Sequence, residues 1–174
     1  MAKASGTRHS VRPALVPGRR KSPRMTDQRS SLMPGTTATR ETLLAAAAAA
    51  GPQAHAAYSR LHVGAAILSG SGRVYAGCNV ENAAYPLGAC AEAAAIAAGV
   101  LAEGAGFRIA EIAVWAAGAA GRPVAISPCG GCRQRILEFA ASKDVPVHFN
   151  WPEGQPRSMS IGELLPCAFE LSVG

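Results

Sequence analysis

The chain has 174 residues, 49% of them hydrophobic and 16% charged, enough apolar content for one ordinary domain with a real core. No apolar run approaches the roughly 20 residues that a bilayer-crossing helix needs, so a helical membrane span is excluded. The net charge of +6 divides unevenly: residues 1–40 hold nine Lys and Arg against Asp27, while the rest hold eight basic and ten acidic groups, a net of −2. The body is faintly acidic, so composition implies no basic surface for a phosphate backbone, and no nucleic-acid partner is expected.

Residues 1–38 show no hydrophobic periodicity, carry scattered Pro, Gly, Ser and Arg, and are expected to be a disordered basic tail ahead of one folded domain over 39–174. The same composition suits an organelle-targeting peptide or a nucleic-acid-binding arm, and Met25 or Met33 could equally serve as the start. Just downstream, "LLAAAAAAGPQAHA" mimics a signal peptide with its cleavage site. Its depth in the chain and an odd cysteine count of five weigh against secretion, and a cytoplasmic protein is expected.

Thr39 is placed to cap a helix through "RETLLAAAAAA", with Glu41 near its positive end and Gly51-Pro52 as the stop. "HVGAAILS" and "RVYAGCNV", separated by a turn-rich "GSG", predict a β-hairpin. A helix follows from near Cys90 to about Leu101, then a mostly buried strand "RIAEIAVWAA" and an amphipathic helix "CRQRILEFAAS" with Ile136, Leu137 and Phe139 inward. "VPVHFN" reads as a further strand and "SIGELLPCAFEL" as a last helical turn. The order predicts an α/β fold: a three-layer α/β/α sandwich around a mixed sheet of about five strands, the later ones parallel. No internal repeat is found.

The chemistry sits at two predicted helix starts. "GACAEAAA" places Cys90 two residues before Glu92, and "SPCGGCRQ" places Cys129 and Cys132 on a tight Gly-Gly turn that can aim both sulfurs at one metal. Three thiolates leave a zinc ion one open position, the mark of a catalytic site, where water becomes hydroxide near neutral pH. Glu92 would then stand beside the metal without ligating it, placed to move protons. Zinc deaminases carry such a three-ligand set with a non-ligand Glu and a downstream P-C-x-x-C, here C-A-E and P-C-G-G-C. Alternatives are a buried structural Cys90, a thioredoxin-like redox pair at Cys129 and Cys132, and a structural zinc with a fourth thiol from Cys78 or Cys167, which are better explained as small core residues.

From about Tyr58 to Phe169 the chain resembles the cytidine deaminase family, in its small, three-cysteine, homotetrameric branch. The stretches that carry the likeness are "YSRLHVGAAIL", "GRVYAGCNVENAAYPLGACAE", "SPCGGCRQ" and "ELLPCAF". The resemblance implies hydrolytic deamination of cytidine and 2′-deoxycytidine to the uridine nucleosides, with one Zn²⁺ per subunit on Cys90, Cys129 and Cys132. It implies that Glu92 shuttles the proton, Asn79 and Glu81 bind the ribose hydroxyl, the Ala91 N–H meets the base carbonyl, and the Ser127 carbonyl meets the amine. Tyr85 and Phe169 resemble residues that reach a neighbouring subunit's pocket, and Leu61 stands where the family usually has a Phe against the base. One departure concerns charge: the family's C-A-E-R is C-A-E-A here, so Ala93 replaces an arginine that donates to the thiolates, leaving Arg133 or Arg135 to compensate. Competing functions are a deaminase of another small aminopyrimidine such as blasticidin S, a nucleic-acid-editing deaminase, and a non-enzymatic zinc or redox module.

Overall fold

In a computed structural model of the chain, residues 39–151 and 155–171 are described, and the expected disordered tail, 1–38, lies outside them. Thr39 caps α1 (Arg40–Ala50), its hydroxyl accepting from the Thr42 N–H at 3.4 Å, and a 3₁₀ turn over Gly51–Gln53 ends the helix where Gly-Pro predicted. The hairpin forms as β1 (His62–Ser69) and β2 (Val74–Cys78), turned at Gly72, whose φ of 82° is left-handed. Then come α2 (Ala91–Glu103), β3 (Ile109–Ala117), α3 (Gly130–Phe139), β4 (Pro146–Asn150), β5 (Pro156–Ser160) and α4 (Ile161–Leu164).

The strands form one mixed sheet in the order β2-β1-β3-β4-β5. The expectation that the later strands are parallel holds for β3 and β4 only; β5 returns antiparallel along β4. "PRSMS" escapes sequence reading because it is a mostly exposed edge strand that begins with Pro, and its apolar alternation is missing. The last helix is also shorter than "SIGELLPCAFEL" suggests: a capping box between Ser160 and Glu163 starts it, and the chain leaves helical geometry at Leu165, ahead of Pro166.

Side chains alternate across the sheet and are buried on both faces, as a sandwich requires. Leu43 and Ala47 of α1 pack on Ala66 and Ala113 on one face. On the other, α2 and α3 bring Ala95, Ile96 and Ile136 onto Ala65, Ile67, Val114, Val147 and Phe149. Leu137 and Phe139 join this larger core half-buried. The sheet is thus the middle layer, and α2 and α3 lie side by side on the face where the cysteines gather.

Gly77 of β2 decides how closely α2 approaches. A Cβ there would overlap the Ala95 backbone and stand 2.7 Å from the Ala91 carbonyl oxygen, so the first turn of α2 rests directly on the strand. Backbone cannot yield as a flexible side chain does. Gly77→Ala is therefore expected to cost about 1–3 kcal/mol of stability and to displace Cys90, read as a shifted urea midpoint together with weaker zinc retention.

Candidate active site

Two segments distant in sequence deliver the sulfurs. Reciprocal backbone hydrogen bonds between Val80 and Ala89, 2.9 Å each way, clamp the loop after β2 so that Cys90 becomes the N-cap of α2. Cys129 is the N-cap of α3, and Cys132 lies in its first turn, two residues earlier than the sequence places the helix. The three Sγ atoms lie within 4.8 Å of one another. Neither N-cap side chain bonds its own helix, so both sulfurs and the positive ends of both helix dipoles converge on one point. Among the described residues no other set of three or more metal-binding side chains comes together. Cys78 is half-buried in β2, whereas Cys167 is exposed and is not the small core residue expected, because the chain beyond Pro166 is not helical and leaves the core.

The electrostatics fit a cation at that point. Burial pushes the Cys90 thiol up, and the neighbouring Glu92 and Cys129 charges add to it against a hydrogen bond from Cys132. Cys132 is driven up strongly by burial and by the charges of Glu92 and Cys90. Burial also opposes the Cys129 thiolate, but hydrogen bonds from the Cys132 N–H and thiol, and from the Cys90 thiol, outweigh it and lower its pKa. Three such thiols cannot all ionise unaided; a divalent cation relieves their repulsion and takes up the thiolates as protons leave. Soft sulfur donors, three in number, suit zinc with an open fourth position.

Glu92 is 4% exposed, in the first turn of α2. Burial raises its pKa, partly offset by its own N–H, the Cys132 thiol and the field of Arg135. A buried carboxyl with a raised pKa beside three converging thiols is chemically able to take up and release a proton.

Residues 37–148 match the family model described as the cytidine and deoxycytidylate deaminase zinc-binding region. The chain belongs to the cytidine deaminase family. It is 42% identical over 127 residues to a cytidine deaminase of Mycobacterium tuberculosis, covering 71% of this chain and 83% of that one. To a cytidine deaminase of Sporosarcina psychrophila it is 36% identical over 129 residues, covering 74% and 90%. The crystal structure of a cytidine deaminase from Burkholderia pseudomallei superposes with a TM-score of 0.65 at 42% identity, over 75% of this chain and 99% of that one.

In this cytidine deaminase fold the other expected site residues divide into two groups. Asn79 and Glu81 grip the loop before β1. The Asn79 amide accepts from the Val63 N–H at 2.7 Å and donates to the Leu61 carbonyl at 3.0 Å. Glu81 accepts from the N–H groups of Tyr58 and Ser59, at 2.8 and 3.2 Å, and from the Ser59 hydroxyl. The Ser59 hydroxyl and Tyr58 N–H hold the Glu81 carboxyl below its usual range. Between these grips Arg60 is held at φ 57°, a left-handed conformation that a non-glycine residue keeps only when its surroundings over-determine it. Ser59 was not singled out in the sequence; one hydroxyl in a loop carries no signal until Glu81 is seen to hold it.

Asn79 has one donor and one acceptor left, and Glu81 one lone-pair site of about four, so both can still meet a ligand. Tyr58, Ser59, Glu81, Asn82, Tyr85 and Gly88 line a cavity of about 360 Å³. Ala91 is the first residue of α2, and its N–H has no intrahelical acceptor. Leu61 and Ser127 are half-buried. Tyr85 and Phe169 are 78% and 73% exposed. The Tyr85 ring stands edge-on to Tyr58, while Phe169 is tied through its backbone to the Gln134 amide.

Arg133 does not face the thiolates. It donates to the carbonyls of Pro128 and Leu164, at 2.9 Å each, and to the Ser127 hydroxyl at 3.4 Å, bracing the loop that presents Cys129.

Proposed function

We propose that this chain hydrolyses cytidine and 2′-deoxycytidine to uridine and 2′-deoxyuridine, releasing ammonia. The observation that carries the reading is the convergence of three sulfurs, from two helix N-termini, beside the buried carboxyl of Glu92. Cys90, Cys129 and Cys132 would hold one Zn²⁺, which when bound would supply the Lewis acidity that activates water for attack on the amine-bearing ring carbon. Glu92 takes the proton of the attacking water, gives one to ring nitrogen N3, and carries the next to the departing amine. The Ala91 N–H donates to the base carbonyl, the Ser127 carbonyl accepts from the amine, and Leu61 gives apolar contact to the ring. Asn79 and Glu81 meet the sugar hydroxyl with the hydrogen-bonding capacity left over from the loop.

The exposure of Tyr85 and Phe169 supports a homotetramer in which they reach a neighbour's pocket. No described helix is long and apolar enough to cross a membrane; a cytoplasmic place remains part of the proposal. Incubating the purified protein with cytidine, deoxycytidine, cytosine, CMP and blasticidin S, with and without a chelator, tests the reading by ammonia release. Chelator-sensitive release from the two nucleosides is expected, and release from CMP or blasticidin S alone overturns it.

Glu81→Gln is expected to lower kcat/KM for cytidine about 10- to 100-fold through KM, the size of a hydrogen bond to a charged group. Slow turnover of free cytosine, which has no sugar, should stay unchanged. Equal losses on both would show that Glu81 only holds the loop.

A further inference from the structure

The site lacks the arginine that the family resemblance places after C-A-E, and the charge balance makes the loss matter. Three thiolates and Zn²⁺ sum to one negative charge, and an ionised Glu92 adds a second. Helix dipoles offset part of it. Of the two cations nearby, Arg133 spends its guanidinium on two carbonyls and a hydroxyl. Arg135 is different.

Arg135 follows Cys132 by three residues and Gly131 by four, so all three share a side of α3, and helical side chains lean back toward the N-terminus. Its guanidinium Nη1 lies 3.3 Å from where a Cβ of Gly131 would stand. It therefore lies against the turn between the two cysteines, on ground that a side chain at 131 would crowd. Ala93 and Arg135 also line one groove between α2 and α3, of about 500 Å³, together with Ala97 and Phe139. Arg135 is the sole charged residue of that lining, which it shares with Ala93, the position of the missing side chain.

We infer that Arg135 is the cationic positioning residue of the metal centre, supplying from α3 the charge that the family resemblance places on α2 at the position of Ala93. The inference rests on the proposed zinc deaminase reading. The pair amounts to a relocation: an arginine at 93 would compete with Arg135 for the groove, and alanine vacates it.

The test compares Arg135→Ala with two double variants. Arg135→Ala is expected to weaken zinc retention, read by competition with a chromogenic chelator, about tenfold, and to lower kcat about tenfold with KM for cytidine unchanged. Ala93→Arg combined with Arg135→Ala should restore both quantities, because the cation re-enters the groove from α2. Ala93→Leu combined with Arg135→Ala fills the groove without charge and should restore neither. Wild-type zinc retention and kcat in Arg135→Ala, or equal rescue by leucine, overturns the inference. A marked gain in the single variant Ala93→Arg, with Arg135 present, also overturns it. Arg135→Gln repeats the test should the alanine variant fold poorly. Chelator competition needs no substrate, so a wild-type protein inactive on every nucleoside would sink the deaminase reading and leave the charge assignment decidable.

Discussion

Glu92→Gln is expected to leave zinc bound at wild-type stoichiometry and to reduce cytidine turnover about 10⁴-fold. That loss is the upper end of what a positioned proton-transfer group contributes. It is large here because, in the proposed mechanism, one carboxyl would serve two steps, protonating N3 and then the leaving amine, and among the described residues no second acid joins the cysteine cluster. Glutamine keeps the shape and the hydrogen-bonding reach but cannot carry a proton. Burial raises the pKa of the native carboxyl, so glutamine also removes a group that is costly to ionise there. The variant should accordingly fold at least as stably as wild type in urea. The paired measurement is metal content and single-turnover kinetics; a zinc-loaded variant that still deaminates at a wild-type rate would assign the proton transfer elsewhere.

Removing one sulfur acts on the metal itself. Cys132→Ala is expected to weaken zinc binding at least about 100-fold, a ligand's share of the roughly 10–16 kcal/mol available to structural zinc sites. Activity should fall below detection without added metal. Cys132 is fully buried, so the same change opens a small void beside Ile136 and lowers the denaturation midpoint modestly even in the apo protein. Cys78→Ala and Cys167→Ala lie outside the cluster and are expected to keep full zinc content. Zinc lost from either of these, or retained by Cys132→Ala, would mean that a different donor set holds the metal. Cys90→Ala separates the centre from a redox pair, since a disulfide exchange at Cys129 and Cys132 would not depend on Cys90, whereas zinc retention would.

Sequence reading reached most of the elements because each is written locally. Thr39, Gly51 and Pro52 bound α1, the apolar runs mark β1 and β3, and Cys90 and the Cys129–Cys132 pair stand at helix starts where their dipole preference puts them. It failed where the information is not local. β5 is polar and exposed and becomes a strand only because β4 offers a free edge. Cys167 looks like a core residue in its apolar neighbourhood, yet its segment leaves the core.

The amino-acid sequence by itself singled out the candidate metal donors, three thiols at two helix starts, and a carboxyl placed beside them; that the sulfurs converge was decided by the tertiary structure. Which nearby cation stays uncommitted was not legible in the sequence. Arg133 and Arg135 are indistinguishable as text, and only the packing of α3 against α2 and the final turn commits one to loop carbonyls and leaves the other beside Ala93. The capacity of Glu81 was likewise hidden, since its ties to Tyr58 and Ser59 bridge segments 22 and 23 residues apart. Side-chain chemistry belongs to the residue itself, whereas distance and competition for partners arise from the long-range contacts that bring the segments together.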